Sequence, residues 1–168
     1  MNLKELSNVL DSITEEQVKS LEAAVKGAEE IFLIGNGGSN AIASHMAVDY
    51  TKFLSKRCFV PNASDLMTMI VNDYGRVEMY ARFIEYNRNF KAEQLAIIIS
   101  SSGNSANIIA AVEKAHSLGI PTVLLSGFEE TNALNKITHS DIKLKYWVDS
   151  KSYGVVEMAH HSFLHAIV

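Results

Sequence analysis

His45 and Asp49 are the first side chains in the sequence whose types and spacing suit proton transfer. They stand four residues apart in a segment with helical spacing, so they share one face of that helix. A neutral imidazole next to a carboxylate titrates near neutral pH when the pair is partly buried. The pair is therefore a candidate acid–base group.

Two polar loops follow buried apolar runs and precede helical segments. Their sequences are GNGGS at residues 35–39 and SSSGNS at residues 100–105. The N-terminus of a helix offers unpaired N–H groups and a partial positive charge, which favour a bound anion. Glycine lets the backbone approach a ligand closely, and the serines add hydroxyl donors. The alternative is that these residues serve only as turn and N-cap residues.

The composition of the two loops limits the anion that they could bind. Neither loop contains Lys or Arg, whereas a P-loop needs its lysine. The glycines at 35, 37 and 38 do not have the spacing of the dinucleotide fingerprint, so we expect no nucleotide cofactor. The loops favour a single phosphate on a small ligand.

Strands and helices are predicted to alternate along the chain. Hydrophobic runs predict strands at 31–34, 58–60, 95–99, 122–125 and 142–147. Helical spacing predicts two helices within 2–28 and further helices at 39–53, 77–86, 106–118, 131–137 and from 155 onward. Residues 65–71 are either helical or loop-like, and 72–75 have turn chemistry. Because the central strands are apolar throughout, we expect a parallel sheet covered on both faces, with ligands bound beyond the carboxyl ends of its strands.

The overall composition favours a cytoplasmic enzyme or binding protein. The chain has 168 residues, which fits one domain, and 48% of them are hydrophobic. A net charge of −4 gives no electrostatic case for binding nucleic acid. A single cysteine, Cys58, suits a reducing compartment, and no apolar run is long enough to span a membrane. The charged, amphipathic first residues are unlike a signal peptide.

The order and spacing of four motifs resemble the sugar isomerase (SIS) domain family, and within it the phosphoheptose isomerases. The motifs are the loop at 35–39, the pair His45 and Asp49, the segment 72–75 and the serine loop at 100–105. The resemblance implies an α/β three-layer sandwich with a five-stranded parallel sheet. It implies a single SIS domain over 1–168, in which residues 1–28 form a helical oligomerisation segment and 29–168 form the sheet and its covering helices. It also implies a homotetramer with sites near subunit interfaces.

The family's catalytic positions fall on two residues of this sequence. In phosphoheptose isomerases a Glu and a His form the acid–base pair, and Asp49 and His165 stand at those positions. Such a pair moves a proton between adjacent carbons through an enediolate. The resemblance further implies that the substrate is bound by residues of both loops and by two acids, which are Asn36, Gly37, Gly38, Ser39, Asp73, Ser100, Ser101, Ser102, Ser105 and Glu157.

Some family members bind zinc, and the matching ligand positions here are His45, Asp49, Glu157 and His165. One zinc per site is therefore expected. Glu157 and His165 are about 12 Å apart along a regular helix at ~1.5 Å per residue, so one metal joins them only if the helix begins after Glu157 or bends. His161 is nearer by helical arithmetic. We nevertheless expect His160 and His161, like His116 and His139, to be ordinary packing or surface residues.

The sequence departs from the family pattern at several positions. Asp49 replaces Glu, which puts the carboxylate ~1.5 Å short of its proton, and Glu157 replaces Gln. Residues 150–156 lack the expected arginine, and Ser101 replaces the Thr of the Ser-Thr-Ser pattern.

Three functions agree with these residues. The first is an isomerase that converts sedoheptulose 7-phosphate to a heptose 7-phosphate for cell-surface sugars such as lipopolysaccharide or capsule. The second is a non-catalytic SIS domain that senses a sugar phosphate or acts as a tetrameric adaptor. The third is a metal-dependent enzyme of another reaction class. Because His165 and an acid at position 49 are both present, we favour the isomerase.

Overall fold

The computed structural model describes residues 1–168 as an α/β three-layer sandwich around a five-stranded sheet. All four strand pairs are parallel, and the strand order is β2-β1-β3-β4-β5. The strands are β1 Glu30–Gly35, β2 Arg57–Phe59, β3 Gln94–Ser100, β4 Thr122–Gly127 and β5 Ile142–Val148. The predicted fold class is confirmed.

Eight helices connect and cover the strands. They are α1 Leu3–Asp11, α2 Glu15–Lys26, α3 Gly38–Leu54, α4 Ser64–Tyr74, α5 Met79–Tyr86, α6 Ala106–Ser117, α7 Ala133–Lys136 and α8 Tyr153–His165. Helix α2 starts after Thr14, because Thr14 and Gln17 form a capping box. The predicted turn at 72–75 is wrong: α4 continues through Tyr74 and ends only at Gly75, where φ is +83°.

The alternating side chains of the central strands build two separate cores. Ile31 and Leu33 face one side of the sheet, where α2, α3 and α8 pack, and α1 lies against that layer. Phe32 and Ile34 face the other side, where α4 to α7 pack. Every residue of β1, β3 and β4 is buried, as expected for strands covered on both faces.

The chain reverses its direction of travel across the sheet between β1 and β3. After β1 it adds β2 on one side, and it then returns to place β3 on the other side of β1. Such a switch point opens a crevice at the carboxyl ends of the strands. The loops that follow Gly35 and Ser100 flank this crevice, and Gly35 pairs with Ile99 at its base.

None of the eight helices combines the length and the hydrophobicity that crossing a bilayer would take.

Candidate functional site

Both polar loops line one cavity of about 210 Å³ at the switch point. This volume lies below the ~300–1,000 Å³ that drug-sized ligands occupy, and it suits a compact polar group. The lining comprises nine of the predicted substrate-binding residues and Tyr153, that is, Asn36, Gly37, Gly38, Ser39, Ser100, Ser101, Ser102, Ser105, Tyr153 and Glu157.

The serine loop presents free donors to this cavity. Ser100 and Ser101 are buried, and the Ser101 hydroxyl has no hydrogen-bond partner within the chain. The main-chain N–H groups of Ser101, Ser102 and Ser105 also donate no hydrogen bond within the chain. A buried donor without a partner costs about 1–3 kcal/mol, and a bound anion would remove that cost. The loop is therefore preorganised for an oxyanion.

Two glycines are closely packed at this cavity. A Cβ on Gly38 would meet the carboxylate end of Glu157, a flexible side chain that would then have to move. Gly103 has a φ of +64°, and a Cβ there would overlap the side chain of Asn132. Gly103 is therefore the position at which the serine loop requires glycine.

Two residues that the sequence analysis missed, Asn107 and Tyr80, hold Asn36 of the first loop in place. The side-chain amides of Asn36 and Asn107 exchange hydrogen bonds of 2.9 and 3.1 Å. The Tyr80 hydroxyl donates to the Gly35 carbonyl over 2.7 Å and lies 3.0 Å from Oδ1 of Asn36. Asn107 is a polar residue buried in the first turn of an apolar helix, which is the sequence signal that could have identified it.

A cluster of histidines around Asp49 lies where α3 and α8 run side by side. Nε2 of His45 is 3.1 Å from Nε2 of His165. Oδ2 of Asp49 lies 3.2 Å from Nε2 of His45 and 3.5 Å from Nε2 of His165. The structure thus brings together three of the four residues expected to bind metal, and both members of the expected acid–base pair.

The cluster is accessible to solvent on one side. The side chains of His45 and His165 are 52% and 37% exposed, and that of Asp49 is 16% exposed. Behind them Tyr50 is fully buried, and its hydroxyl donates to the Leu164 carbonyl over 3.0 Å. This contact fixes the end of α8 against α3 and so fixes the position of His165 relative to His45.

His161 joins the cluster, against the expectation that it is an ordinary residue. A ring nitrogen of each of His45, His161 and His165 lies within 4.8 Å of the others. Burial lowers the pKa of His161, and the neighbouring imidazoles of His165 and His45 lower it further. These effects favour the neutral form of His161, which is the form that binds a metal, and the carboxylate of Asp49 acts in the opposite direction.

His160, by contrast, is a core residue, as expected. It is fully buried, its Nε2 lies 3.0 Å from the Ser126 carbonyl oxygen, and burial lowers its pKa to about 4. His116 and His139 stack on each other at the surface and pair with Asp141 and Glu113, remote from the cavity residues.

Glu157 and Asp73 each lie away from one of the groups of residues with which they were predicted to act. Helix α8 is regular from Tyr153 onward, so Glu157 stays about 12 Å from His165 along the axis, next to Gly38. Glu157 lines the cavity, and its expected place among the metal ligands stays a prediction. Asp73 is exposed on α4, accepts a hydrogen bond from its neighbour Asn72 and is not part of the cavity lining.

A wider cleft of about 520 Å³ lies at the opposite, amino-terminal edge of the sheet, between α2 and the strands. Its lining includes Ala23 and Ala24 of α2, Gly27 just after that helix, Glu93 and Lys143, and no histidine. The histidine cluster therefore lies outside this wider cleft.

Comparison with known proteins agrees with this geometry. A family profile described as the SIS domain matches residues 3–127. A phosphoheptose isomerase of Aliarcobacter butzleri is 32% identical over 171 residues, which cover 96% of this chain and 87% of that protein. A phosphoheptose isomerase of Helicobacter pylori is 37% identical over 132 residues, covering 74% of this chain and 67% of that protein.

A solved structure of phosphoheptose isomerase from Neisseria gonorrhoeae has the same fold. It superposes with a TM-score of 0.85 at 24% identity and covers 98% of this chain and 90% of that one. The matched profile and the relatives above 30% identity lead to one conclusion: the chain belongs to the SIS-domain family, on its phosphoheptose isomerase branch.

Proposed function

We propose that the protein is an aldose–ketose isomerase that interconverts sedoheptulose 7-phosphate and a heptose 7-phosphate. The observation that carries this proposal is that α3 and α8 each have one end at the serine-lined cavity and carry the His45, Asp49 and His165 cluster further along. One pair of helices thus links an anion-binding end to a proton-transferring end. The sequence relatives carry the name phosphoheptose isomerase.

The cavity binds the phosphate. The free N–H groups of Ser101, Ser102 and Ser105 and the Ser101 hydroxyl donate to its oxygens, and the N-terminus of the 12-residue helix α6 adds a partial positive charge. Hydrogen bonds to a charged group contribute about 1.5–3 kcal/mol each, which suffices without a cationic side chain. Glu157 accepts hydrogen bonds from sugar hydroxyls beside this site.

Asp49 and His165 transfer the protons. Oδ2 of Asp49 faces the two imidazoles, whereas Oδ1 makes no hydrogen bond and is available as a base. Asp49 removes a proton from C1 of the ketose, an enediolate forms, and the proton is returned at C2. His165 moves the proton between the two substrate oxygens, because an imidazole can both donate and accept a proton.

The same cluster suits a zinc ion. Zinc favours imidazole nitrogen and carboxylate oxygen, and the donor atoms of His45, Asp49 and His165 lie 3.1, 3.2 and 3.5 Å from one another. When bound, zinc would polarise the substrate carbonyl as a Lewis acid. His165 then keeps Nδ1, and Asp49 keeps Oδ1, for proton transfer.

The assembly proposed is a cytoplasmic homotetramer of single-domain chains, with residues 1–28 as the oligomerisation segment. Its support is the exposure of large apolar side chains on α1 and α3, where Leu3 is 70%, Val48 64% and Phe53 56% exposed. Val48 and Phe53 lie on the same helix as His45 and Asp49, which supports the proposal that the site is near a subunit interface. Light scattering of the purified protein measures the assembly size.

Conversion of sedoheptulose 7-phosphate, followed by NMR, tests the proposed reaction. We expect the aldose signal to appear with the wild type and to fall at least 100-fold with His165→Gln, since general acid–base catalysis contributes ~10²–10⁴-fold. A wild type that binds phosphate but never turns over, even with added zinc, would favour the sensor or adaptor function. Turnover of a different substrate class that requires the metal would favour the third function.

A further inference from the structure

The triangle formed by His45, Asp49 and His165 cannot be explained by hydrogen bonds alone. Each Nε2 atom offers either one proton or one lone pair in the plane of its ring, and the carboxylate oxygen only accepts. If both imidazoles donate to Oδ2 of Asp49, their two protons face each other across the 3.1 Å between the nitrogens. If one imidazole is an acceptor, its lone pair faces the carboxylate oxygen. A cation at the centre resolves this conflict, because it attracts all three lone pairs.

The dimensions of the triangle agree with tetrahedral zinc coordination. Ligand bonds of about 2.0–2.1 Å place the ligand atoms of a tetrahedron roughly 3.3–3.4 Å apart. The three observed separations are 3.1, 3.2 and 3.5 Å. These atoms therefore occupy positions close to three corners of a tetrahedron, and one corner remains to be filled from the protein or from solvent.

His161 is the protein residue nearest to the fourth corner, because one of its ring nitrogens lies within 4.8 Å of ring nitrogens of His45 and His165. Its ring lies edge-on to His45 at 4.7 Å between centroids and 4.8 Å from the ring of His165. Its Nε2 is shielded from solvent and has no hydrogen-bond partner within the chain. Its i, i+4 relation to His165 puts both imidazoles on one face of α8.

We propose that His161 is the fourth metal ligand of this protein, so that the metal is bound by three imidazoles and one carboxylate, and Glu157 is not a ligand. The proposal rests on the proposed function for the identity of the metal as zinc. Position 157 lies one helical turn before His161, and its carboxylate packs against Gly38 in the phosphate cavity. The proposed ligand, His161, therefore lies one helical turn further along α8 than Glu157, the ligand expected from the resemblance.

Zinc titration of the metal-free protein tests the ligand set without depending on turnover. The protein is stripped with a chelator and titrated with zinc in competition with a chromophoric chelator. We expect the wild type to bind one zinc per chain. His161→Ala should weaken zinc binding at least about 100-fold, because losing even a residue that only hydrogen-bonds a metal ligand costs up to about that much affinity. Glu157→Gln should change the zinc affinity less than threefold. Cobalt(II) provides an independent readout, because the wild type should give the intense visible absorption of a tetrahedral site and His161→Ala should not.

The outcomes separate the two ligand sets. Less than tenfold weakening in His161→Ala, tenfold or greater weakening in Glu157→Gln, or no zinc binding by the wild type would each overturn the proposal. Circular dichroism of the metal-free forms checks folding, and His161→Asn replaces the alanine variant if that one does not fold. Turnover of sedoheptulose 7-phosphate is measured on the same samples. If zinc binding depends on His161 but sedoheptulose 7-phosphate is not converted, the ligand set is supported and the proposed function is rejected. If the sugar phosphate is converted but zinc binding does not depend on His161, the proposed function is supported and the ligand set is rejected.

Discussion

The Nε2 atoms of His45 and His165 lie 3.1 Å apart, although 120 positions separate the two residues in the sequence. The contact exists because α3 and α8 both pack on the same face of the sheet, where their buried residues share one core. Gly38 lies against Glu157 at one end of the helix pair, and Tyr50 joins the helices near the other. The acid–base cluster therefore depends on the packing of two helices, and its residues have no catalytic geometry until that packing is complete.

The hydroxyl of Tyr50 should contribute measurably to both stability and activity. Burial raises the pKa of Tyr50, so it remains a hydrogen-bond donor, and Leu164 has one of the last carbonyls of α8, which lacks an intrahelical partner. We expect Tyr50→Phe to lower the free energy of unfolding by about 1–2 kcal/mol in denaturant titrations and to lower kcat. Tyr146→Phe is the matched control, because the Tyr146 hydroxyl is buried without a partner and its removal should cost nothing. Equal losses in both variants would contradict the role given to Tyr50.

Ser101 should matter for phosphate binding and not for folding. Its buried hydroxyl has no partner within the chain, and the loss of one hydrogen bond to an anion costs roughly 1.5–3 kcal/mol. We expect Ser101→Ala to raise KM for the sugar phosphate about 10–100-fold while leaving the melting temperature unchanged or raised. Ser117→Ala, at the exposed end of α6, is the control. An unchanged KM in Ser101→Ala would show that the serine loop does not bind the phosphate.

Aspartate at position 49 should support a higher kcat than glutamate, the residue that the family has at this position. Its Oδ2 already contacts both imidazoles at 3.2 and 3.5 Å, so an added methylene of ~1.5 Å would push the carboxylate into them. We expect Asp49→Glu to lower kcat about tenfold and Asp49→Asn to lower it at least 100-fold. Higher activity in Asp49→Glu would mean instead that the native carboxylate falls short of its proton.

The buried His160 should make the protein less stable in mild acid. Its pKa falls from 6.5 in the unfolded chain to about 4 in the folded one, so between these values only the unfolded chain takes up a proton there. This group is therefore expected to remove about 2 kcal/mol of stability between pH 7 and pH 5. Denaturant titrations at both pH values should show a smaller pH dependence in His160→Gln than in the wild type. His116→Gln, a surface control, should keep the full dependence, and an equal loss in both variants would refute the assignment.

Most of the fold could be predicted from local patterns. The apolar runs at β1 and β3 are buried on both faces, which leaves little choice but a parallel sheet, and the glycine and serine loops mark the ends of those strands. The predicted turn at 72–75 was wrong because Asn and Asp are turn formers that α4 nevertheless tolerates in its last turn, before Gly75 ends the helix.

The site was predictable in its residue types and less so in their grouping. The cavity residues follow two neighbouring strands, so their convergence follows from the sheet alone. The sheet alone does not determine which residues of α8 reach the histidine cluster. Whether position 157 or position 161 contacts His45 depends on where the helix begins and how it packs on α3. The reciprocal amide pair of Asn36 and Asn107 depends in the same way on the contact between the first loop and α6, and no single segment encodes it.

Deuterium incorporation from heavy water tests the central claim most directly. The protein is incubated with sedoheptulose 7-phosphate in D₂O with zinc present, and the position of the label is determined by NMR. An enediolate formed by Asp49 and His165 predicts deuterium at C1 of the recovered ketose and C2 of the aldose, with both signals lost in Asp49→Asn. If the wild type yields neither product nor label while it still binds phosphate, the site does not perform this isomerisation.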